Sequence, residues 1–307
     1  MGEGTRMEVV TLTLNPCVDR TLWVRGFGEA PERIEEQSGG KGVNVARVLG
    51  ALGIDCAAVF PAGGETGDKL IALARAEGVQ ARPVPVKPET RVIDTEARLG
   101  DFAQQVHYVR GEALGEADLD ALEAELFRCL PGARVLAVCG SASSEAAARR
   151  VPGIIRRAKA LGVAVLLDSN GPALIEGAEA LPDIVKPNQK ELGQLVGRDV
   201  VPGEEADAAL ELVSRGIGGV LVSLGEGGCA YVRADGQYFC PAPKVETVNP
   251  VGSGDSFVAG FLYGVLRGWP DNGRALVIAC AAGAANARMF PAARVGRAEI
   301  EALCGEI

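Results

Sequence analysis

One histidine, His107, is all the imidazole that 307 residues contain. No Ser-His-Asp arrangement can be assembled around it, so a hydrolase triad is unsupported. It sits in a stretch of alternating polarity and is expected at the surface. The eight cysteines (17, 56, 129, 139, 229, 240, 280 and 304) show no C-x-x-C spacing. Scattered in this way they fit reduced, mostly buried thiols of a cytoplasmic protein, not a disulfide framework or a zinc site. Basic residues are in deficit, 31 against 40 acidic, for a formal charge of -9. That balance argues against nucleic acid or an anionic membrane as the main partner, and it means that an anionic ligand must be held by a few local donors. The most apolar late run, ALVIACAAGAANA, is bounded by Arg274 and Arg288 and is too short for a bilayer, so it reads as a buried helix. The opening MGEGTRMEVV lacks an apolar core, and no secretory signal is expected. With no linker rich in Pro, Gly or Ser and no solenoid repeat, residues 1–307 are expected to form a single α/β domain.

What is present is alternation. Short apolar runs, VVTLTL (9–14), CAAVF (56–60), RVLAVC (134–139), VAVLLD (163–168), DIVK (183–186) and GVLVSL (219–224), read as strands buried on both faces. Between them, Val45, Val48, Leu49 and Leu52, and then Leu119, Leu122, Leu126 and Leu130, recur at helical spacing. Repeated βαβ units predict a three-layer, mostly parallel sheet flanked by helices. Two segments break the rhythm. Residues 20–38 and 90–110 alternate polar with apolar side chains, as strands exposed on one face do, and are expected to form a small β-strand lid whose hairpin turns near Leu99, Gly100 and Asp101.

The densest chemistry lies in VNPVGSGDSFVAGF (248–261). Phe257, Phe261, Leu262 and Val265 mark the buried side of a helix, so Gly252, Ser253 and Gly254 stand at its N-terminus, where main-chain N–H groups lack partners and the helix dipole favours an anion. Asp255 in the same turn can accept a proton from an attacking hydroxyl. SGGKGVNVARVLGALG (38–53) repeats the design: Gly39, Gly40 and Gly42 offer backbone donors, Asn44 bonds in both directions, and Lys41 suits an anion. In TLNPCVD, Asp19 can accept from two sugar hydroxyls. In VKPNQKEL, Asn188 and Glu191 share a helical face after a strand and suit the surroundings of a hydrated magnesium ion. VSLGEGG (222–228) is a further small-residue loop at a strand end, where parallel sheets line their ligand crevice. Taken singly, each stretch also reads as an ordinary cap or turn: Asp255 as a first-turn carboxylate, Asn188 as an N-cap, Asp19 and Lys41 as solvated side chains. A dinucleotide oxidoreductase is disfavoured, since no G-x-G-x-x-G follows the first strand.

Together and in this order, from TLNPCVD through GGKGVNVARVLGALG, LLDSNGPAL, VKPNQKEL and VSLGEGG to NPVGSGDSFVAGF and AAGAAN, the chain resembles the ribokinase-like (phosphofructokinase-B) carbohydrate kinase family. Within it, the first motifs, Thr90-Arg91 and KPN..EL look like the branch acting on phosphorylated ketohexoses, 1-phosphofructokinase and tagatose-6-phosphate kinase. The resemblance implies an ATP- and Mg2+-dependent kinase, with a monovalent cation in some relatives. It implies Asp255 as the base and the backbone of Gly252, Ser253 and Gly254 as the anion hole. Asp19, Gly39, Gly40, Asn44 and Ser141 are implied on the sugar side, and Lys41 and Arg91 at its existing phosphate. Lys186, Asn188, Ser223 and Gly225 are implied near the nucleotide, Gly283 and Asn286 at the adenine pocket, and Asn188 and Glu191 toward the metal through water. It also implies a lid that closes over the sugar and can pair two copies. Three departures fall on the acceptor side: a shortened stretch between Asp19 and Gly39, RGEALGEAD where the branch shows GP, and CGSASSEAA in place of GSLPPG. Two other readings stay open, a kinase of an unphosphorylated sugar or nucleoside and a catalytically idle sugar-phosphate binding protein.

Overall fold

In the computed structural model the described residues are 7–267 and 272–305, so the opening residues 1–6, part of the stretch read for a signal, lie outside them. After β1 (Val9–Thr13) the chain leaves for β2 (Cys17–Val24) and β3 (Arg33–Gly39), then returns through α1 (Lys41–Ala51), β4 (Cys56–Ala62), α2 (Gly64–Ala76) and β5 (Gln80–Pro85). It leaves again for β6 (Arg91–Arg98) and β7 (Gln104–His107). Next come α3 (Glu116–Cys129), β8 (Val135–Cys139), α4 (Glu145–Ala160), β9 (Ala164–Asp168), α5 (Gly171–Ala178), β10 (Ile184–Val185), α6 (Gln189–Val196), α7 (Glu205–Ser214) and β11 (Gly219–Ser223). Strands β12 (Cys229–Arg233) and β13 (Gly236–Cys240) precede α8 (Ser253–Leu266), α9 (Asn272–Ala287) and α10 (Arg297–Cys304).

Nine strands form one sheet in the order β13-β12-β11-β10-β9-β8-β1-β4-β5. The six expected apolar runs all lie in it, and every pairing from β11 to β5 is parallel. Helices α1, α2, α8, α9 and α10 bury their apolar sides on one face, and α3 to α7 on the other. Continuous apolar runs are the signature of strands covered in this way. The sheet is longer than expected at both ends. Strand β5 carries Pro83 and Pro85, which an edge position tolerates. At the other edge β12 and β13 form an antiparallel hairpin across the two-residue loop Ala234–Asp235.

The lid is a separate four-stranded sheet, β3-β2-β6-β7. Its hairpin turns at Leu99, Gly100 and Asp101 as expected, with Arg98 and Asp101 paired across the turn. His107, near the end of β7, is exposed and bonds Glu96 at 3.0 Å. Pairing begins earlier than the polar alternation indicates, at Cys17, and the register sets Cys17 opposite both Gly39 and Arg91. Trp23 on β2 packs on Phe290 at 4.3 Å between ring centroids and so ties the lid to the loop after α9. All eight cysteines are free thiols, six of them buried. No helix among the described residues is long and apolar enough to cross a membrane.

Candidate active site

Parallel pairing brings the C-terminal ends of β1, β8, β9, β10 and β11 to one rim of the sheet, where such folds bind ligands. The turn before α8 faces this rim. Gly252 caps the helix in the left-handed region, φ 82°, and a Cβ there would meet Ala293 N at 2.9 Å, so glycine is needed for conformation and for space. Asn286 holds the turn from below: its Nδ2 donates to the Val251 carbonyl (2.8 Å) and Ser253 Oγ (3.0 Å), and its Oδ1 accepts from Ala293 N–H (2.6 Å). The expected anion hole needs one correction. The Ser253 N–H turns back to the Pro250 carbonyl at 3.2 Å, so the main-chain donors without such an acceptor are Gly252 and Gly254, as expected, and Asp255 in place of Ser253. Open space surrounds the α-carbon of Gly254 on its side-chain side.

Asp255 is buried, 6 % exposed. Burial raises its pKa from the ordinary 3.8 to about 6, against the pull of Lys41, with Asp168 raising it further and Asn44 and Lys186 lowering it. Asn44 Nδ2 donates to Asp255 Oδ2 at 2.7 Å, so α1 and α8 meet at the carboxylate. Lys41 opens α1 and pairs with Asp168 Oδ1 at 3.1 Å, and Lys186 reaches the same oxygen at 3.2 Å. Burial raises the Asp168 pKa, but the two lysines outweigh it and hold this carboxyl below the ordinary range. Asp168 was not singled out in the sequence. Its signal was there as the acid that ends the apolar run VAVLLD at the ligand rim.

Among the residues expected on the sugar side, a Cβ at Gly39 would collide with Asp19 Oδ2, so the glycine lets Asp19 lie across the loop. Asp19 Oδ1 accepts from the Cys17 thiol at 3.2 Å, and burial raises its pKa above the ordinary value. Gly40 takes φ 109° at the N-cap of α1. Ser141 accepts from Asn15 Nδ2 at 3.3 Å. Arg91 does not stand free for a phosphate. Its guanidinium donates to the carbonyls of Asn15 (2.8 Å), Val109 (2.9 Å) and Pro16 (3.4 Å), and it lies 5.2 Å from the Tyr108 ring centre. Beside Asp19 a cavity of about 490 Å³ opens between lid and body, its charged lining being Asp19, Glu35, Glu36 and Arg294.

Asn188 and Glu191 form a reciprocal capping box at the start of α6, each side chain 2.9 Å from the other's N–H. Asn188 pairs with Ser223 at the end of β11, and Gly225 takes φ 57° just beyond. Gly283 lies against the start of α8, where a Cβ would stand 3.3 Å from the Ser253 carbonyl. Asn286, expected at the adenine pocket, is fully buried with both amide atoms engaged; it supports the glycine turn and has no atom to offer a base. Among the described residues no group of three or more His, Cys, Asp or Glu side chains is placed to hold a metal. The residues do fit Mg2+: Asp168 Oδ2 is buried without a hydrogen-bond partner, and this ion is commonly held by one or two carboxylates together with substrate phosphates.

A carboxylate at a glycine-lined helix mouth beside a lysine pair is what phosphoryl transfer to an alcohol requires. The chain matches the profile of the pfkB family carbohydrate kinases over residues 5–290 and belongs to that family. It is therefore a sugar kinase, and kinases of this family use ATP. It is 34% identical over 272 residues to the 1-phosphofructokinase of Rhodobacter capsulatus, covering 85% of each chain. It is also 34% identical over 261 residues to the ATP-dependent 6-phosphofructokinase isozyme 2 of Escherichia coli, covering 82% of this chain and 84% of that one. Among solved structures, phosphofructokinase-2 from Escherichia coli in complex with potassium superposes with a TM-score of 0.90 at 28% identity, covering 97% of this chain and 98% of that one. Ribokinase from Thermotoga maritima shares the fold, with a TM-score of 0.76 at 20% identity over 97% of this chain and 99% of that one.

Proposed function

We propose that the protein transfers the γ-phosphoryl group of ATP to a free hydroxyl of a ketohexose phosphate, giving a bisphosphate and ADP. The observation that carries this reading is the buried Asp255 carboxylate, whose pKa near 6 leaves it ionised at neutral pH and basic enough to take a proton. Asp255 accepts the hydroxyl proton as the sugar oxygen bonds to the γ-phosphorus and the bond to ADP breaks. The N–H groups of Gly252, Gly254 and Asp255 and the dipole of α8 stabilise the charge on the migrating group. Asp19, Gly39, Gly40, Asn44 and Ser141 hold the sugar, and Lys41 neutralises phosphate charge. Lys186, Ser223, Gly225 and Gly283 lie toward the nucleotide. Asp168, with Asn188 and Glu191 through water, would hold Mg2+, which supplies charge neutralisation on the phosphates. A monovalent cation belongs to the proposal by analogy with the potassium-bound neighbour. So do a cytoplasmic location, supported by eight free thiols, and pairing of two lids, supported by Ile34, exposed on the lid face turned away from the cavity.

The acceptor is fructose 1-phosphate, phosphorylated at carbon 6, or tagatose 6-phosphate, phosphorylated at carbon 1; relatives named 1-phosphofructokinase favour the former. A second reading, an unphosphorylated sugar, is favoured by the acid-lined cavity and by an Arg91 already bonded to three carbonyls. ADP release across fructose 1-phosphate, fructose 6-phosphate, tagatose 6-phosphate, fructose and ribose separates the two. Turnover highest on a phosphorylated hexose supports the proposal, turnover highest on fructose or ribose supports the second reading, and no turnover on any leaves the idle binding protein.

A further inference from the structure

Arg47 is a buried cation, 5 % exposed, one helical turn beyond Asn44 on α1, and no step above uses it. Its guanidinium is fixed on several sides. It donates to Glu77 Oε2 (2.9 Å), to the Ser38 carbonyl (2.5 Å) and hydroxyl (2.7 Å), and more weakly to the Ala292 carbonyl (3.4 Å). Glu77 is held in turn by the Ser38 N–H at 3.1 Å and by Arg294 at 2.7 Å. The remaining contact points at the reaction centre: Arg47 Nη1 lies 2.9 Å from Asn44 Oδ1, and Asn44 Nδ2 lies 2.7 Å from Asp255 Oδ2.

A guanidinium can only donate. The atom of Asn44 that faces Arg47 must therefore be the carbonyl oxygen, and the atom that faces Asp255 must be the NH2 group. Were the amide reversed, an NH2 would meet a cation and a carbonyl would meet a carboxylate, two repulsive contacts in a buried site.

We propose that Arg47 is a positioning residue for phosphoryl transfer: by occupying Asn44 Oδ1 it locks the amide so that Nδ2 engages Asp255 Oδ2, which leaves Oδ1 to receive the proton of the acceptor hydroxyl. The proposal rests on Asp255 as the base, and it gives Asn44 a second task beside holding sugar. Because Arg47 also grips the Ser38 and Ala292 carbonyls, one side chain sets the base, the start of the glycine loop and the segment after Phe290 in a common frame.

The test is a ¹³C NMR titration of Asp255 in the ligand-free protein, labelled at aspartate carboxyls and assigned by its absence in Asp255→Asn. Other groups facing Asp255 are Lys41 on α1, Asp168 ending β9, Lys186 after β10, and the thiols of Cys17 on β2 and Cys139 on β8; none is altered. In Arg47→Met the amide is free to rotate, and the midpoint should rise by about one pH unit, the effect of one lost hydrogen bond to a carboxylate. Asn44→Ala should give a similar rise, and in Asn44→Ala/Arg47→Met the second change should add nothing. A shift from Arg47→Met that persists in the Asn44→Ala background would mean a direct charge effect, and it would overturn the relay. So would an unmoved midpoint accompanied by a lowered Tm, the mark of a purely structural role. Arg47→Met strands Glu77, so Arg47→Met/Glu77→Gln is measured alongside; it removes both charges and carries the same expectation. Normal turnover by Asp255→Asn would remove the base reading and leave the titration result standing.

Discussion

Replacing Asp255 by Asn should abolish turnover and at the same time stabilise the fold. The carboxyl is almost wholly buried, and its pKa rises from 3.8 to about 6. Two pH units correspond to about 3 kcal/mol that the ionised group withholds from the folded state at neutral pH. The sign follows from linkage. A folded pKa above the unfolded value gives stabilisation that is complete below pH 3.8 and lost as pH rises through about 6. Asparagine approximates the protonated form at every pH, so Asp255→Asn should gain up to about 3 kcal/mol at pH 7.5 and nothing at pH 3.5, less the cost of an amide NH2 without an acceptor. Urea denaturation at those two pH values reads the difference, and ADP release reads the rate, expected to fall by about 10²–10⁴ or more with sugar binding retained. In the wild type kcat/KM should fall about tenfold per pH unit below 6, as the base is protonated. Equal stabilisation at both pH values would refute the burial argument, and an unchanged rate would refute the mechanism.

Gly252→Ala forces a left-handed alanine against Ala293 N; a cost of about 1–3 kcal/mol and a large fall in kcat should appear together in a melting curve and the ADP assay. Asp168→Asn removes the counter-charge shared by Lys41 and buried Lys186, and should cost about 3 kcal/mol at pH 7. Since the Asp168 pKa is depressed, that loss should shrink as pH falls below about 4, which denaturation against pH will read. Arg91→Ala removes a clamp on three carbonyls and should change KM for a phosphorylated hexose and for fructose alike; a rise confined to the phosphorylated hexose would assign the arginine to the phosphate.

The parallel core was legible because strands covered on both faces must be apolar throughout, as at Val9–Thr13 and Val135–Cys139. Strand β5 and the edge strand β13 were not, because edge strands tolerate what interior strands exclude: two prolines in the first, and exposed Gln237 and Phe239 in the second. The residues around Asp255 came from local motifs, since helix N-termini and glycine turns are written in short runs. Asp168 joins Lys41 and Lys186 across 127 and 18 positions, a contact that exists only once the sheet has formed. Asn286 shows the opposite failure. The family resemblance implied a ligand contact there, but a fully buried amide was needed where the turn before α8 exposes main-chain groups.

The lid grows out of the acceptor floor. Cys17, Gly39 and Arg91 share one rung of its ladder, Asp19 stands two residues up the same strand, and Gly39 leads directly into the Gly40 cap of α1. Under the proposed function, swinging such a flap would work like lifting a trapdoor whose planks are also floorboards: access and grip would change in a single movement. On that reading a substitution of Trp23, which lies outside the cavity lining and rests on Phe290, should therefore alter how tightly the sugar is held.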